Sequence, residues 1–243
     1  MKRWFVHVLT VSSPGRADRP NEDFAAVSPG AAVLLDGAGI VPEAEAGCAH
    51  GVAWYARRLG AAILAEITAG PDCSLRDALG QAIAQVRAQH DRTCDLSNPA
   101  TPGATVTVVR RATSAIEYLV LSDSIIAADF GGDREPVIVT DHRPADEGGL
   151  AQADEHAADR ALVGSIPLAH LRSVALLSDG AARLVEPFGL LSWLDMLALL
   201  RDIGPAELIS QVRAAEAADP ERTRWPRVKV SDDATVVYWR LGA

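Results

Sequence analysis

The chain has 243 residues, which suits one large domain or two small ones, and no linker-like stretch divides it, so a single domain over 1–243 is expected. Apolar residues make up 49% of it, ample for a core, yet no apolar run is long enough to span a bilayer. A net charge of −9 argues against general nucleic-acid binding, which rests on basic surface.

Trp4 to Ser12 reads as a first strand, followed by a polar loop, Ser13 to Asn21, holding Arg16 and Arg19. Phe24 to Val27 starts a second strand, Ser28-Pro29-Gly30 is a tight turn, and Ala31 to Leu35 is a third strand with apolar residues on both faces. Connections this short predict an antiparallel meander. From about Glu43 to Ala69 the pattern turns helical, with Val52, Tyr55, Leu59, Ala62, Ile63 and Ile67 at three- and four-residue steps. Ser74 is the expected N-cap of a second helix, which carries Leu75, Leu79, Ile83 and Val86 inward and runs to about His90 or Cys94.

Asn98 to Gly103 is a breaker cluster. Ala104 to Arg110, Ala115 to Leu121, Ile125 to Asp129 and Pro136 to Thr140 follow as strands. Asp141 to Ser165 is acidic and alanine-rich, and is expected to be a mobile loop with one short helix. Ser173 to Leu177 reads as a core strand, Leu190 to Arg201 and Ala206 to Ala217 as helices, and Ser231 to Leu241 as the last strand. Gly204-Pro205 marks the start of the second of those helices. Strands, helix pair, strands, helix pair, strand predicts an α+β fold: a four-layer α-β-β-α sandwich of two antiparallel sheets flanked by helix pairs.

The acids recur at strand ends. Asn21-Glu22-Asp23 precedes a strand, Asp36-Gly37 ends one, and Ser122-Asp123 and Ser178-Asp179-Gly180 end two more. Ser231-Asp232-Asp233 opens the last. Taken singly, each suits a solvated turn. Gathered at one sheet edge, they would repel one another, and a divalent cation is the simplest reason to gather them.

In series, Glu22-Asp23, Asp36-Gly37, Gly103-Ala104-Thr105, Ser122-Asp123-Ser124, Ser178-Asp179-Gly180 and Asp232-Asp233-Ala234-Thr235 resemble the successive motifs of the metal-dependent protein phosphatases, the type 2C serine/threonine phosphatases, in their bacterial form. The family fold is a β-sandwich flanked by helix pairs. The resemblance implies that Asp36 bridges two Mn²⁺ or Mg²⁺ ions, Gly37 offers its carbonyl to one, and Glu22 or Asp23 holds that ion's waters. Asp179 and Asp232 would ligate the other ion, and Asp123 a third, weaker one. All-oxygen, water-rich sites suit these ions over zinc. A hydroxide bridging the two ions would attack phosphorus in line, with no covalent enzyme intermediate. The substrate implied is a protein carrying phosphoserine or phosphothreonine.

Three positions depart from the pattern. Ala38 stands where eukaryotic members have histidine. Asp18 stands where a phosphate-binding arginine is usual, leaving Arg19 or Arg16 to serve. Ile125 stands where Gly-Asp-Ser-Arg has its arginine. A catalytically weak or inactive regulatory module of the same fold, and a phosphatase for a small phosphoester, are therefore alternatives.

Met1-Lys2-Arg3-Trp4-Phe5 is basic and then apolar, but no cleavage site follows, so no signal peptide is expected. Cys48, Cys73 and Cys94 are an odd number without a close pair. They read as reduced thiols in a cytoplasmic protein, not as a disulfide framework or zinc site, and the chain is expected to be a monomer. The histidines, His7, His50, His90, His142, His156 and His170, show no metal-ligand spacing; His50 and Trp54, four apart, read as a packing pair.

Overall fold

A computed structural model of the chain describes residues 6–39, 47–90, 94–132, 134–143, 149–154 and 156–242. In chain order its elements are β1 (Val6–Ser13), β2 (Phe24–Ser28), β3 (Ala31–Leu35), β4 (Gly37–Ala38), α1 (Val52–Ala69) and α2 (Leu75–Ala88). Then come β5 (Gly103–Ala104), β6 (Val106–Arg111), β7 (Ala115–Leu121), β8 (Ile125–Asp129), β9 (Val137–Val139), α3 (Ala157–Arg160) and β10 (Leu162–Pro167). The series closes with β11 (Ser173–Leu177), α4 (Asp179–Ala182), α5 (Trp193–Asp202), α6 (Pro205–Ala217) and β12 (Ala234–Leu241).

Two five-stranded sheets form, in the orders β1-β12-β11-β8-β9 and β10-β7-β6-β3-β2, and every pair is antiparallel. The alternation of side chains along a strand decides which layer each residue joins. On β3, Ala31, Val33 and Leu35 pack with Tyr55, Leu59 and Ile63 of α1 and Leu79 and Ile83 of α2. Ala32 and Leu34 point the other way and meet Leu176, Val237 and Trp239 of the opposite sheet. That sheet turns Leu177, Val236 and Tyr238 outward against Met196, Leu200, Leu208 and Val212 of α5 and α6. The result is the expected four-layer sandwich. Its central strands β3, β8 and β11 read as nearly continuous apolar runs because both their faces are buried.

The helix ends follow local chemistry. Ser74 accepts the Asp77 N–H at 3.1 Å, capping α2 as expected, and Ser192 and Asp195 form a reciprocal capping box on α5. Gly204 precedes Pro205 at the start of α6.

Several expectations are corrected. The first three strands are not a meander: β1 pairs β12 in one sheet, while β2 pairs β3 in the other. The loop between β1 and β2 therefore crosses from sheet to sheet over the rim. The first helix begins at Val52, because Gly51, just before it, has φ 75°, outside the helical region. Residues 43–46 of the longer helix reading, and Trp4 and Phe5 of the first strand, lie outside the described residues. α2 ends at Ala88, short of His90. Thr105 interrupts the predicted strand from Ala104 to Arg110, separating β5 from β6. β10 lies in the stretch read as a loop: a mostly exposed edge strand containing Gly164 and ending in Pro167, both strand-weakening signals. Within that stretch, Ala151 exchanges backbone hydrogen bonds with Ala104 at 3.0 and 2.9 Å. Among the described residues, no helix is long and apolar enough to cross a membrane.

Leu34 is wholly buried between the sheets, so Leu34→Ala should cost about 2–5 kcal/mol of stability. Val27→Ala, at a residue 44% exposed, should stay within about 0.5 kcal/mol. Urea titration of both variants measures the contrast.

Candidate functional site

The strand ends converge on one cleft of about 780 Å³. Glu22, Asp36, Asp123, Asp179, Asp232 and Asp233 line it, faced by Arg16, Arg19 and Lys229. Asp36 ends β3, Asp179 follows β11, Asp123 follows β7, and Asp232 precedes β12, so both sheets contribute.

Close backbone packing sets the geometry. A side chain on Gly37 would place Cβ 2.6 Å from the Glu22 carbonyl oxygen and from Val52 Cγ1. One on Gly180 would meet the Asp233 carbonyl oxygen at 2.0 Å. Glycine is required at both, since a Cβ this near backbone forces the strand ends apart. Asp36 is held on both sides of its peptide: its N–H donates to Thr105 Oγ1 at 3.1 Å, and its carbonyl accepts the Thr105 N–H at 2.8 Å. Asp123 follows Ser122, which adopts φ 71°, a left-handed turn that projects the next carboxylate over the rim.

The crossing loop is pinned by Asp233. Its carboxylate accepts the Gly15 N–H at 2.8 Å and the Glu22 N–H at 2.6 Å. The neighbouring Asp232 is held by cations. Lys229 Nζ donates to its Oδ1 at 2.7 Å and Arg183 Nη2 to its Oδ2 at 3.2 Å. Arg183 is itself buried on Glu216 at 2.6 Å, and Glu216 accepts from Arg213 at 2.7 Å. Arg213 reaches the Ser13 carbonyl at 2.9 Å, closing a chain from α6 to β1.

The acids strain against one another. Burial pushes the Asp36 carboxyl well above the usual carboxylate range, and the charges of Asp23 and Asp179 add to it. Burial raises Asp179 as well, helped by Asp232, and raises Glu22. Asp23 is pushed up to about 7 by burial. Asp23 is only 6% exposed; the Thr235 and Ser178 hydroxyls beside it oppose the rise, but neither makes a hydrogen bond of good geometry to its carboxylate oxygens. Such a group costs free energy unless something positive or protic reaches it. Burial works against the charge of Lys229, but the hydrogen bond to Asp232 keeps its pKa raised.

The residues read from the sequence are thus brought together, except that Asp23 lies buried and is not among the residues lining the cleft. The two arginines differ. Arg16 is tied to Asp18 by bonds of 2.9 and 2.6 Å, whereas Arg19 lines the cleft and, among the described residues, is bonded to no carboxylate. Lys229, Arg183 and the clamp role of Asp233 carry no signal in the sequence. Lys229 stands three residues before Asp232, a spacing that in a loop gives no contact signal.

A further expectation is corrected. The sequence spacing suggests no link between the cysteines and histidines, yet Cys48, His50, His90 and Cys94 present ligand atoms within 4.8 Å of one another. Only the folding of α1 and α2 into a hairpin brings the two pairs together. The His50 and Trp54 rings do stack, at 4.2 Å between centroids.

Lys229 competes for Asp232 from a half-exposed position, where an ion pair is worth about 0.2–1 kcal/mol. Lys229→Ala should tighten the binding of a divalent cation in the cleft by up to about fivefold, read by calorimetric titration with Mn²⁺.

Comparison with known proteins agrees with this arrangement. A family model described as protein phosphatase 2C matches residues 13–212. Solved structures share the fold over nearly the whole chain. PppA, a regulatory component of the type VI secretion system of Pseudomonas aeruginosa, is 18% identical, with a TM-score of 0.63 and 98% of each chain covered. The serine/threonine phosphatase PstP of Mycobacterium tuberculosis is 16% identical, with a TM-score of 0.62, covering 98% of this chain and 99% of that one. A PstP catalytic domain solved with two manganese ions, also 16% identical, has a TM-score of 0.60, with 99% of this chain and 100% of that one covered. Among curated proteins, none matches the sequence significantly. The match over residues 13–212, on a sandwich of two antiparallel sheets and flanking helices, makes this chain a member of the protein phosphatase 2C family.

Proposed function

We propose that the chain is a divalent-cation-dependent phosphatase, a single domain that removes phosphate from serine and threonine of proteins in the cytoplasm. The observation that carries this reading is the convergence of Asp36, Asp179 and Asp232, from both sheets, on one cleft. The donor set suits Mn²⁺ or Mg²⁺: it is all oxygen, and the buried Asp23 carboxylate, poorly satisfied by the Thr235 and Ser178 hydroxyls beside it, fits a role in holding an ion's waters. Asp36, Asp179, Asp232 and the Gly37 carbonyl would hold the ions, Glu22 and Asp23 their waters, and Asp123 a weaker ion. When bound, two ions supply a Lewis acid for the phosphoryl oxygens and acidify a water for in-line attack.

The chain's own groups do the rest. The Thr105 bonds fix the Asp36 peptide, so its carboxylate need not reorganise during reaction. Asp233 holds Glu22 in place through its backbone. Arg19, beside the acids, is the side chain suited to phosphate oxygens, since a guanidinium binds them in a fork. Arg16 would first have to leave Asp18.

A second reading, a weak or inactive module that binds a phosphorylated partner, draws on one observation. Asp18 occupies the place of the usual phosphate-binding arginine and draws Arg16 away from the acids.

Purified protein should hydrolyse p-nitrophenyl phosphate and a phosphothreonine peptide with Mn²⁺ or Mg²⁺ and stop with EDTA. Asp36→Asn and Asp179→Asn should reduce both activities to background; unchanged metal-dependent turnover in either variant sinks the reading. Arg19→Ala should raise KM for both compounds by about tenfold or more while kcat falls less, the pattern of lost ground-state phosphate binding. Tight Mn²⁺ binding without turnover of either compound would favour the module. Turnover of small phosphoesters alone would favour a metabolite phosphatase.

A further inference from the structure

Away from the acidic cleft, a second group of ligand-type side chains closes on itself. Cys48 and His50 lie in the turn before α1, and His90 and Cys94 just beyond α2. The Cys48 and Cys94 sulfurs are 3.5 Å apart. His50 Nδ1 is 3.4 Å from Cys94 Sγ and 3.8 Å from Cys48 Sγ. Tetrahedral zinc, with Zn–S near 2.3 Å and Zn–N near 2.0–2.1 Å, sets ligand atoms about 3.8 Å apart for sulfur pairs and about 3.5 Å for sulfur–nitrogen pairs. The three spacings among Cys48, His50 and Cys94 match those edges within a few tenths of an ångström, and His90 offers its ligand atom within 4.8 Å of the others. A disulfide needs sulfurs about 2.0 Å apart.

The surroundings have the character of a metal site. His90 Nδ1 lies 3.0 Å from the Val86 carbonyl, which can only accept, so Nδ1 carries the proton and Nε2 is the nitrogen whose lone pair suits a metal. The Ala49 N–H points at Cys94 Sγ at 3.3 Å, and the His50 N–H at Cys48 Sγ at 3.5 Å, donors that favour thiolate. Cys48 and His90 are buried at 4% and 3% exposure. The Trp54 ring covers the group, stacked on His50 and edge-on to His90 at 5.1 Å. The Asp95 N–H donates to the Gly47 carbonyl at 2.7 Å, tying the two ligand-bearing segments together.

We propose that Cys48, His50, His90 and Cys94 bind a structural zinc ion. Four protein ligands close the coordination sphere, leaving no position for substrate. On binding, two thiol protons pass to solvent and the two thiolates cancel the ion's charge. Soft sulfur and imidazole select zinc here, while the all-oxygen cleft suits harder ions, so the two sites sort their metals. The ion staples the start of α1 to the end of α2. Val52, two residues after His50, packs against Gly37 and Gly39, so the staple also backs one wall of the cleft.

The test is elemental analysis of freshly purified protein, with intact mass to report thiol oxidation. One zinc per chain is expected, retained in Asp179→Asn and lost in the Cys48→Ser/Cys94→Ser double variant. Because that variant can unfold, wild-type protein stripped by chelator is also titrated with Co²⁺. The intense visible bands of tetrahedral cobalt bound by thiolate should appear, and Zn²⁺ should abolish them while raising the thermal midpoint by several degrees. Protein without zinc that gives no such cobalt bands, a Cys48–Cys94 disulfide, or a stoichiometric metal other than zinc would each overturn the proposal.

Discussion

The structure depends on holding like charges together. Glu22, Asp36, Asp123, Asp179 and Asp232 share one cleft, with Asp23 buried beside them. Burial and mutual repulsion raise the pKa of several of these carboxyls, so each is held where, left alone, it would move away or take up a proton. A flexible loop could not maintain that arrangement. Two rigid sheets can, because their strand ends are set by hydrogen-bonded register and by cores packed on both faces.

The restraint is distributed. Asp233 takes two backbone N–H groups of the crossing loop, and Glu216 fixes the arginine that holds Asp232. Gly37 and Gly180 let backbones approach more closely than any side chain would permit. Lys229 and Arg183 partly neutralise the acids, and in the proposed enzyme divalent ions complete that task. The clamp residues need not touch substrate to matter, because they decide where the carboxylates stand.

Helix α1 joins the two regions of ligand chemistry. Its first residue, Val52, rests on the glycine-rich end of the cleft, and the residues just before it belong to the proposed zinc site. The chain thus presents hard oxygen donors at the sheet rim and soft sulfur and nitrogen donors at the helix-hairpin end. Donor chemistry alone distinguishes which ions each would take.

Much of this was legible in the sequence. Ala31 to Leu35, Ala115 to Leu121, Ile125 to Asp129 and Ser173 to Leu177 have the observed strand limits, because a run of apolar residues marks a buried strand and polar or turn residues mark its ends. The acids ending or preceding the strands were visible for the same reason, as were the layers implied by two helix pairs. Tertiary structure alone decided that β1 leaves β2 for the other sheet, since loop length does not say which edge a strand will pair with. It decided that Arg183 meets Asp232 and that Asp233 serves the backbone of the crossing loop. It also joined Cys48 and His50 to His90 and Cys94 across a helix hairpin. Periodicity and burial act between near neighbours along the chain and are written in it. Contacts between distant residues depend on where whole layers come to rest, and that is settled only when the cores have packed.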